Sequence, residues 1–317
     1  MEQHRQISRL GWILWHKPTF VFQSEKGVGF VKNSPISKIC TVTFSPCGNV
    51  SDVTQFLAQK LSTHLSLPVE TYDFTLPRQR TKDFIFQATD LVLVGTPVYA
   101  GRVPNKIMPY IQDHFQGNGG IAIPLVAFGN RSYDNALIEL RNLLEHNAFH
   151  TIAAAAVSTS HSFSDQIGHG RPDFSDFELL HTFAAQICSK LSGPVDRFSS
   201  DRCAAFLFPP VDVPGENPPT TYYTPLGVDG KPAKFLKAVP KTHPDRCQQC
   251  GLCATKCPMG SIDEKDPAII TGICIKCQAC VRSCPTHAKY FDDPAFLSHV
   301  EMLKQNYTKP AKSEFFL

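Results

Sequence analysis

The sequence lacks the features that mark several large classes of protein. It has no Lys/Arg run longer than a dipeptide and a formal net charge of only +3, which together argue against a nucleic-acid partner. The longest apolar stretch near the start, residues 11–15, is too short to span a membrane and has no small-residue cleavage site beside it. We therefore expect a soluble, cytoplasmic protein without a membrane span.

Cysteine, by contrast, is abundant and clustered. Eight of the twelve cysteines lie between Cys247 and Cys284, in two copies of the pattern C-x2-C-x2-C-x3-C-P. The first three thiolates of such a pattern can wrap one cubane, while the fourth reaches the other cluster in two-cluster ferredoxins. The array resembles the bacterial 2(4Fe-4S) ferredoxins across about residues 240–292. Two 4Fe-4S clusters are predicted, on a first cysteine set (Cys247, Cys250, Cys253 and Cys284) and a second cysteine set (Cys274, Cys277, Cys280 and Cys257).

Zinc is the alternative metal for this region. Four-cysteine zinc sites also use C-x2-C, but zinc ribbons need two cysteine pairs rather than quartets that end in Cys-Pro. The metal-ligand spacing, with no signal peptide before it, also argues against a disulfide scaffold. The cysteines therefore predict iron-sulfur chemistry in a reducing compartment.

The N-terminal two-thirds of the chain alternates apolar runs with longer segments of helical spacing. The apolar runs predict five strands, at residues 38–44, 68–74, 90–98, 121–129 and 151–159. Helices are predicted at residues 53–61, from Pro104 onward, at residues 136–144 and 174–191, with an abbreviated helix at residues 81–87. A parallel, doubly wound α/β sheet of five strands is the economical fold for this pattern.

Three loops follow the predicted strands at the positions where such a sheet binds ligands. The phosphate loop (residues 44–51) offers hydroxyls, an amide side chain and free N–H groups at a helix N-terminus, an anion cradle without a basic residue. The tyrosine loop (residues 95–104) presents an aromatic side chain between small residues, and the edge loop (residues 128–134) again combines glycine, polar groups and an aromatic. No G-x-x-x-x-G-K-[ST] or G-x-G-x-x-G motif is present, which disfavours nucleoside triphosphates and nicotinamide dinucleotides.

These three loops resemble the flavodoxin family, and with the cysteine array the chain is similar to bacterial fusions of a flavodoxin-like domain to a two-cluster ferredoxin, over about residues 36–292. The resemblance implies FMN, although Cys47 and Val50 stand where flavodoxins usually have Thr. By position it places the phosphate on Ser45, Cys47, Gly48, Asn49 and Ser51, the ring on Thr96, Pro97, Val98, Tyr99, Ala100 and Gly101 with Tyr99 stacked on it, and the ring edge at Gly129, Asn130, Arg131, Tyr133 and Asp134.

Two further side chains are candidates for chemistry. His161 follows the fifth predicted strand and could relay a proton at the ring, with Tyr133 as a second donor, although a lone histidine often has only a structural hydrogen bond. Cys47 lies where a helix terminus could lower its pKa. Cys40, Cys188 and Cys203 are expected to be small buried residues.

The chain therefore divides into five regions. An N-terminal extension (1–35) that could form a hairpin precedes the FMN-binding domain (36–192). A connector (193–240) with nine prolines is expected to be irregular but ordered, and it leads to the two-cluster domain (241–292). Residues 293–317 are expected to form a short helix and a disordered end.

Two function classes are compatible with this organisation. In the first, the chain carries electrons between the clusters, FMN and redox partner proteins. In the second, it is a flavin-dependent reductase of a small organic or quinone-like substrate, with the clusters as the electron inlet. A carrier needs only an accessible ring edge, whereas an enzyme needs a concavity with polar groups and a proton donor such as His161 or Tyr133. The sequence predicts neither the electron donor and acceptor nor the oligomeric state.

Overall fold

The computed structural model describes residues 36–192 and 208–317. The hairpin expected within residues 1–35, the first part of the connector and Cys203 lie outside the described residues. The strands are β1 (Lys38–Thr43), β2 (Val69–Asp73), β3 (Phe84–Ile85), β4 (Asp90–Pro97), β5 (Phe115–Gln116), β6 (Ile121–Phe128), β7 (His150–Thr151), β8 (Ala154–Ser158), β9 (Lys241–Thr242), β10 (Lys289–Tyr290) and β11 (Glu314–Phe316). The α-helices are α1 (Asn49–Leu65), α2 (Met108–His114), α3 (Ala136–His146), α4 (Phe174–Leu191), α5 (Leu252–Thr255), α6 (Ala279–Arg282) and α7 (Pro294–Asn306).

The main sheet has the order β11-β8-β6-β4-β1-β2, with the short β7 paired to β6. Its five central strands, β2-β1-β4-β6-β8, are parallel and correspond to the five strands predicted from the sequence. Read in chain order they run 2-1-3-4-5, which is the flavodoxin-like order of doubly wound sheets. The predicted fold class is confirmed.

The chain end is a correction to the predicted five-stranded sheet. The predicted disordered tail instead folds back as β11, which pairs antiparallel with β8 between residues 314–316 and 154–156. β11 extends the sheet because the exposed backbone edge of β8 offers free hydrogen-bonding groups that a returning strand can use. The sheet therefore has seven strands, and its last edge comes from the C-terminus.

Helices cover both faces of the sheet. α1 and α4 pack against one face and α2 and α3 against the other, so that β4 and β6 are buried along nearly their whole length. Continuous apolar runs such as Ile121–Phe128 are typical of parallel strands that are covered on both sides. This is why these strands carry little alternation between apolar and polar residues.

Two helix predictions were wrong in detail. Residues 81–87 form no helix: a 3-10 turn at Pro77–Gln79 is followed by β3, in which Phe84 and Phe86 are buried while Ile85 between them is exposed. That alternation is the period of a strand and brings Phe84 into edge contact with Phe115 and Phe74. α2 begins at Met108 rather than near Pro104, because a turn in which the Pro104 carbonyl accepts two N–H groups precedes it.

Residues 241–292, called the cluster module below, have little regular structure. α5 and α6 are four-residue helices, and β9 and β10 form a two-residue antiparallel pair. Each helix follows a residue with positive φ, Gly251 at 72° and Gln278 at 66°, at equivalent places in the two cysteine quartets. The duplication seen in the sequence is therefore present in the backbone.

The described part of the connector, residues 208–240, contains no helix or multi-residue strand, as its proline content predicts. It is ordered by packing. Val211 and Val213 are buried against the main sheet and its helices, residues 36–192, which are called the sheet module below, and Ala238 is buried against α7. No helix in the described ranges is both long enough and apolar enough to cross a membrane.

Candidate functional site

The three loops meet beyond the carboxyl ends of β1, β4 and β6, where they border one cavity of about 590 Å³. This volume lies within the range of cofactor sites in proteins. Eleven of the side chains or backbone segments predicted from the sequence line it: Ser45, Cys47, Asn49, Pro97, Val98, Tyr99, Ala100, Gly101, Gly129, Arg131 and His161. Six others are absent from the lining: Gly48, Ser51, Thr96, Asn130, Tyr133 and Asp134.

The phosphate loop presents unused main-chain donors. The N–H groups of Cys47, Asn49 and Val50 have no hydrogen-bond acceptor in the described part of the chain, and no side chain caps α1. Gly48 allows this geometry, because its φ of 94° is a conformation that side chains disfavour. Free N–H groups at a helix N-terminus attract anions. The loop therefore fits a phosphate group.

Two side chains of this loop have structural partners. The Ser45 hydroxyl accepts the N–H of Ser51 at 3.0 Å, which accounts for Ser51 without placing it at the cavity. The Asn49 side chain donates to the carbonyl of Ser160 at 3.1 Å and so ties the phosphate loop to the segment after β8. These bonds orient the loop and leave its unused main-chain N–H groups as the candidate donors to an anion.

Cys47 departs from its predicted chemistry. Burial raises the pKa of its thiol to about 11, although the nearby Arg282 acts in the opposite direction. The expectation of a lowered pKa was wrong, because desolvation outweighs the helix terminus. The neutral thiol donates a hydrogen bond of 3.0 Å to the main-chain carbonyl of Cys277. It therefore joins the phosphate loop to the cluster module.

The tyrosine loop is a tight turn. The N–H of Tyr99 donates to the carbonyl of Arg102 at 2.9 Å, and the N–H of Arg102 returns the bond at 3.1 Å. Gly101 sits in this turn at φ 76°, where a Cβ atom would lie 2.3 Å from the Asp134 carboxylate. Burial raises the pKa of the Tyr99 hydroxyl well above its ordinary value, and the nearby thiols of Cys277 and Cys47 add to the effect. Tyr99 thus lies close to thiols of both the phosphate loop and the cysteine array.

The edge loop contributes Gly129 and Arg131 to the cavity. The guanidinium of Arg131 pairs with the Asp134 carboxylate and lies 3.7 Å from the centre of the Tyr223 ring. Asp134 does not line the cavity; its carboxylate positions Arg131, which does. A Cβ atom on Gly129 would lie 2.4 Å from His161, so a side chain at this position would displace the imidazole.

Two residues of the edge loop were predicted to border the ring edge, but their side chains instead form hydrogen bonds to the C-terminal segment. Asn130 is buried; its amide donates to the carbonyls of Tyr307 and Lys309 at 2.8 and 3.0 Å and accepts the N–H of Ala311. The Tyr133 hydroxyl donates to the Glu314 carboxylate on β11. Burial and Glu314 raise the pKa of Tyr133, so this hydroxyl is committed to the sheet edge and not to the cavity.

His161 lines the cavity as a neutral ring. Burial lowers its pKa to about 3, and the positive charges of Arg282 and Arg131 and the nearby His299 act in the same direction. Its Nδ1 accepts the N–H of Phe163 at 3.1 Å, which assigns the proton to Nε2. An imidazole of this kind can donate a hydrogen bond but does not store a proton at neutral pH. These observations favour a structural role for His161, as a hydrogen-bond partner of the main chain, over a role as a proton relay.

The opposite wall of the cavity belongs to the cysteine array. Cys274 and Cys277, with the residues between them, line the same space as the three loops. Burial raises the pKa values of Cys274, Cys277 and Cys280, and in each case the nearby Cys257 adds to it. These four thiols are therefore neighbours.

The remaining thiols show the same crossing between quartets. Burial raises the pKa of Cys253, and the Cys284 thiol adds to it. In both quartets, then, the fourth cysteine lies beside thiols of the other quartet, the arrangement predicted from the spacing. Main-chain N–H groups of Ser261 and Ala288 point at the sulfurs of Cys257 and Cys284 at 3.3 and 3.2 Å. Such N–H···S bonds stabilise thiolates that bind metal. No group of three His, Cys, Asp or Glu residues within the described ranges is placed to hold a single metal ion.

The connector covers one side of the cavity, between the loops of the sheet and the cysteine array. The N–H of Tyr223 donates to the carbonyl of Ala100 at 2.9 Å, and Arg102 donates to the carbonyl of Thr221 at 3.2 Å. Tyr222, Tyr223, Phe235 and Leu236 all border the cavity from this side. The adjacent aromatic pair Tyr222 and Tyr223, in a proline-rich segment, is the signal that could have marked these cavity contacts.

Two arginines fasten the cluster module to the sheet module. Arg80, in the loop after β2, donates to the carbonyls of Phe74 and Pro258 at 2.8 and 2.6 Å. Arg282, at the end of α6, donates to the carbonyls of His161 and Ser162 at 2.9 and 3.1 Å. Arg80 belongs to the sheet module and Arg282 to the cluster module, so each module donates hydrogen bonds to the other.

Comparison with known proteins bears on both modules. Residues 246–289 match the family model described as 4Fe-4S dicluster domain. The chain joins a flavodoxin-like fold to a 4Fe-4S dicluster domain. No curated protein matches the chain.

Solved flavodoxins are similar to the sheet module of this flavodoxin-like, dicluster chain. The flavodoxin of Streptococcus pneumonia TIGR4 is 22% identical over 49% of this chain and 99% of its own, with a TM-score of 0.36. A flavodoxin from the domain Archaea is 13% identical over 49% of this chain and 98% of its own, with a TM-score of 0.34. Rubredoxin oxygen:oxidoreductase of Desulfovibrio gigas is 15% identical over 50% of this chain and 36% of its own, with a TM-score of 0.32. The fold assignment rests on the strand order and not on these scores.

The residues present fit the groups that this combination implies. Uncapped amides of the phosphate loop suit a phosphate monoester, and Tyr99 with the backbone of the tyrosine and edge loops offers a surface for a planar ring. The two sets of neighbouring thiols with N–H···S bonds suit iron-sulfur clusters. The flavodoxin-like, dicluster chain thus has the donor groups for both kinds of redox centre.

Proposed function

We propose that this chain is an electron-transfer flavo-iron-sulfur protein, which passes electrons between two 4Fe-4S clusters and FMN and on to a partner redox enzyme. The phosphate would be held by the free amides of the phosphate loop, and the ring would lie against Tyr99. The clusters would be held by the first and second cysteine sets. When bound, FMN exchanges one or two electrons, whereas each cluster exchanges one.

One observation carries the proposal. Cys274 and Cys277 line the same cavity as the three flavin loops, and Cys47 bonds directly from the phosphate loop to the Cys277 carbonyl. A cluster on the second cysteine set would therefore be a neighbour of the flavin. The two modules form one redox unit instead of merely sharing a chain.

The arrangement also orders the centres. Within the first cysteine set, Cys250 is exposed, whereas Cys277 of the second set is buried against the cavity. A protein donor would thus reach the first cluster at the surface, and electrons would continue through the second cluster to the flavin. The neutral Cys47 thiol and the Tyr99 ring, both beside Cys277, would then lie near both of the last two centres.

The reductase alternative has one observation in its favour, the concave cavity with polar groups such as Lys106 and Arg131 in its lining. Its proton donors are less well placed. Tyr133 bonds to Glu314 away from the cavity, and His161 is neutral because its pKa is lowered to about 3. The carrier hypothesis therefore accounts for more of the site.

Composition and stepwise reduction test the proposal together. Anaerobically purified protein should contain about eight iron, eight sulfide and one FMN per chain, the count for two cubanes and one flavin. Iron, sulfide, zinc and flavin are measured on one sample, and spectra are recorded during reduction. Zinc without sulfide would remove the clusters, and clusters without flavin would leave the sheet module without a redox role.

A further inference from the structure

The mouth of the cavity carries the most exposed large apolar side chain of the described residues. Leu236 is 91% exposed, and Ile273 across the mouth is 54% exposed. Both residues line the cavity, so the exposed apolar pair lies at the candidate site. Leaving a leucine this exposed forgoes the free energy that its burial would supply. The position is therefore a candidate for contact with another molecule.

The backbone beneath Leu236 is fixed. The Lys276 ammonium donates to the carbonyl of Leu236 and to that of Cys274, the latter at 3.2 Å. Phe235, the residue before it, packs against Phe296 with ring centres 5.5 Å apart. Leu236 thus projects from an anchored segment, and its exposure does not come from a loose loop.

The same segment is basic. Lys231, Lys234 and Lys237 are exposed around Leu236, whereas Asp229 is the single acidic residue between positions 226 and 240. An apolar centre with lysines on its rim favours a negatively charged partner, because complementary charge steers the encounter while the apolar contact holds it. Weak electron-transfer complexes characteristically have small interfaces of this kind.

We propose that the mouth patch, formed by Lys234, Leu236, Lys237 and Ile273, docks an acidic electron-transfer protein. The inference rests on the proposed function and names the surface on which the flavin side of the chain meets its partner. In each encounter one electron leaves the reduced chain and one partner cluster gains it, with no proton transferred. An anionic membrane surface is the competing occupant, but three lysines on an irregular segment lack the amphipathic helix of interfacial anchors.

Binding of a defined acidic probe tests the patch. The holoprotein, with its iron, sulfide and flavin measured, is titrated calorimetrically with an oxidised acidic bacterial 2(4Fe-4S) ferredoxin at low and at raised salt. Wild-type protein should bind, and the affinity should fall as salt screens the rim charges. Stopped-flow reduction of the same probe by the reduced holoprotein gives the association rate.

Charge reversal locates the contact. The double variant Lys234→Glu/Lys237→Glu should weaken binding by about tenfold or more, because like charges then face each other. The matched control is Lys309→Glu/Lys312→Glu, two exposed lysines with the same spacing that lie on the segment after α7 and not beside Leu236 in the sequence. The control should change the affinity by less than about twofold, since it alters only the net charge. Equal losses in both variants would overturn the proposal.

A second variant tests the apolar centre. Leu236→Ala, compared with wild-type protein at equal measured iron, sulfide and flavin content, should speed dissociation of the probe several-fold, because this side chain is 91% exposed and supports no core. Two results together would refute the proposal and assign the patch to a membrane. In the first, wild-type protein binds anionic phosphatidylserine vesicles; in the second, its affinity for the ferredoxin is unchanged in both mouth-patch variants. Should the holoprotein lack flavin, the proposed function fails, whereas calorimetry still decides the patch by itself.

Discussion

The two modules of this chain are stabilised in different ways. The sheet module buries long apolar strands under helices on both faces, with Leu93 and Ile123 fully inaccessible. The cluster module has four-residue helices, a two-residue strand pair and a small core in which cysteines themselves take part. A module that buries so little apolar surface needs another source of stability, and metal bonds supply it in small domains. We therefore expect the sheet module to fold without cofactors and the cluster module to need its metal clusters.

The largest effect should follow from removing the iron. Anaerobic chelation, or Cys277→Ser, should unfold residues 246–289 while the amides of β4 and β6 keep their protection from hydrogen exchange, because only the cluster module depends on metal bonds. Protection that persists in both modules without iron would show that the small module folds unaided.

The next effect concerns the sheet. Leu93→Ala should lower the free energy of unfolding by about 2–5 kcal/mol, because the side chain is fully buried on the central strand β4. Leu179→Ala on α4 is the control, since this leucine is 47% exposed and its loss should cost under about 0.5 kcal/mol. Thermal unfolding measures both changes. Equal losses would mean that the sheet core is not what stabilises this module.

A smaller effect is expected where the modules meet. Arg80→Ala and Arg282→Ala each remove hydrogen bonds to main-chain carbonyls of the other module, and each should cost about 1 kcal/mol. Hydrogen exchange of residues 257–261 and 161–163 should then increase. The neighbouring, exposed Arg78→Ala makes no such contact and should leave this exchange unchanged. An unchanged pattern in all three variants would show that the modules are held together elsewhere.

The last effect is a pH dependence of the sheet module. Because burial lowers the pKa of His161 to about 3, the folded chain keeps this ring neutral where the unfolded chain protonates it. The unfolded state therefore binds more protons from the ordinary value near 6.5 down to about 3, so stability should rise with pH through this window. His161→Gln should flatten the rise in denaturant midpoints measured across it. A slope that the variant leaves unaltered would mean that His161 is not the titrating group.

The two modules also differ in how far their sequences predict them. The spacing predicts all eight cysteines as cluster ligands, because the first three thiols of each quartet lie within seven residues and the repeated Cys-Pro marks the fourth. The parallel strands could be predicted for a similar reason, since a strand covered on both faces must be a continuous apolar run. α4 was predicted with its bounds, and its N-terminus carries the capping pair Asp173 and Asp176.

The parts that were missed depend on contacts between distant segments. Asn130 and Tyr133 occupy the edge loop as predicted. Their side chains, however, form hydrogen bonds to β11 and to the segment before it. The chain end has no strand-like periodicity that would reveal this pairing. The contacts of Arg80 and Arg282 likewise leave no signal in the local sequence, because their partners are main-chain carbonyl groups, which every residue has. The pKa of Cys47 was misjudged because its burial comes from the other module.

Flash photoreduction of the holoprotein tests the central claim, that the second cluster and the flavin share one cavity. The clusters are reduced by a short light pulse with an external photosensitiser, and absorption at flavin wavelengths follows the electron over a series of protein concentrations. Transfer within one chain predicts a flavin reduction rate that is independent of protein concentration. A rate proportional to protein concentration, or a flavin that stays oxidised while the clusters are reduced, would contradict the account.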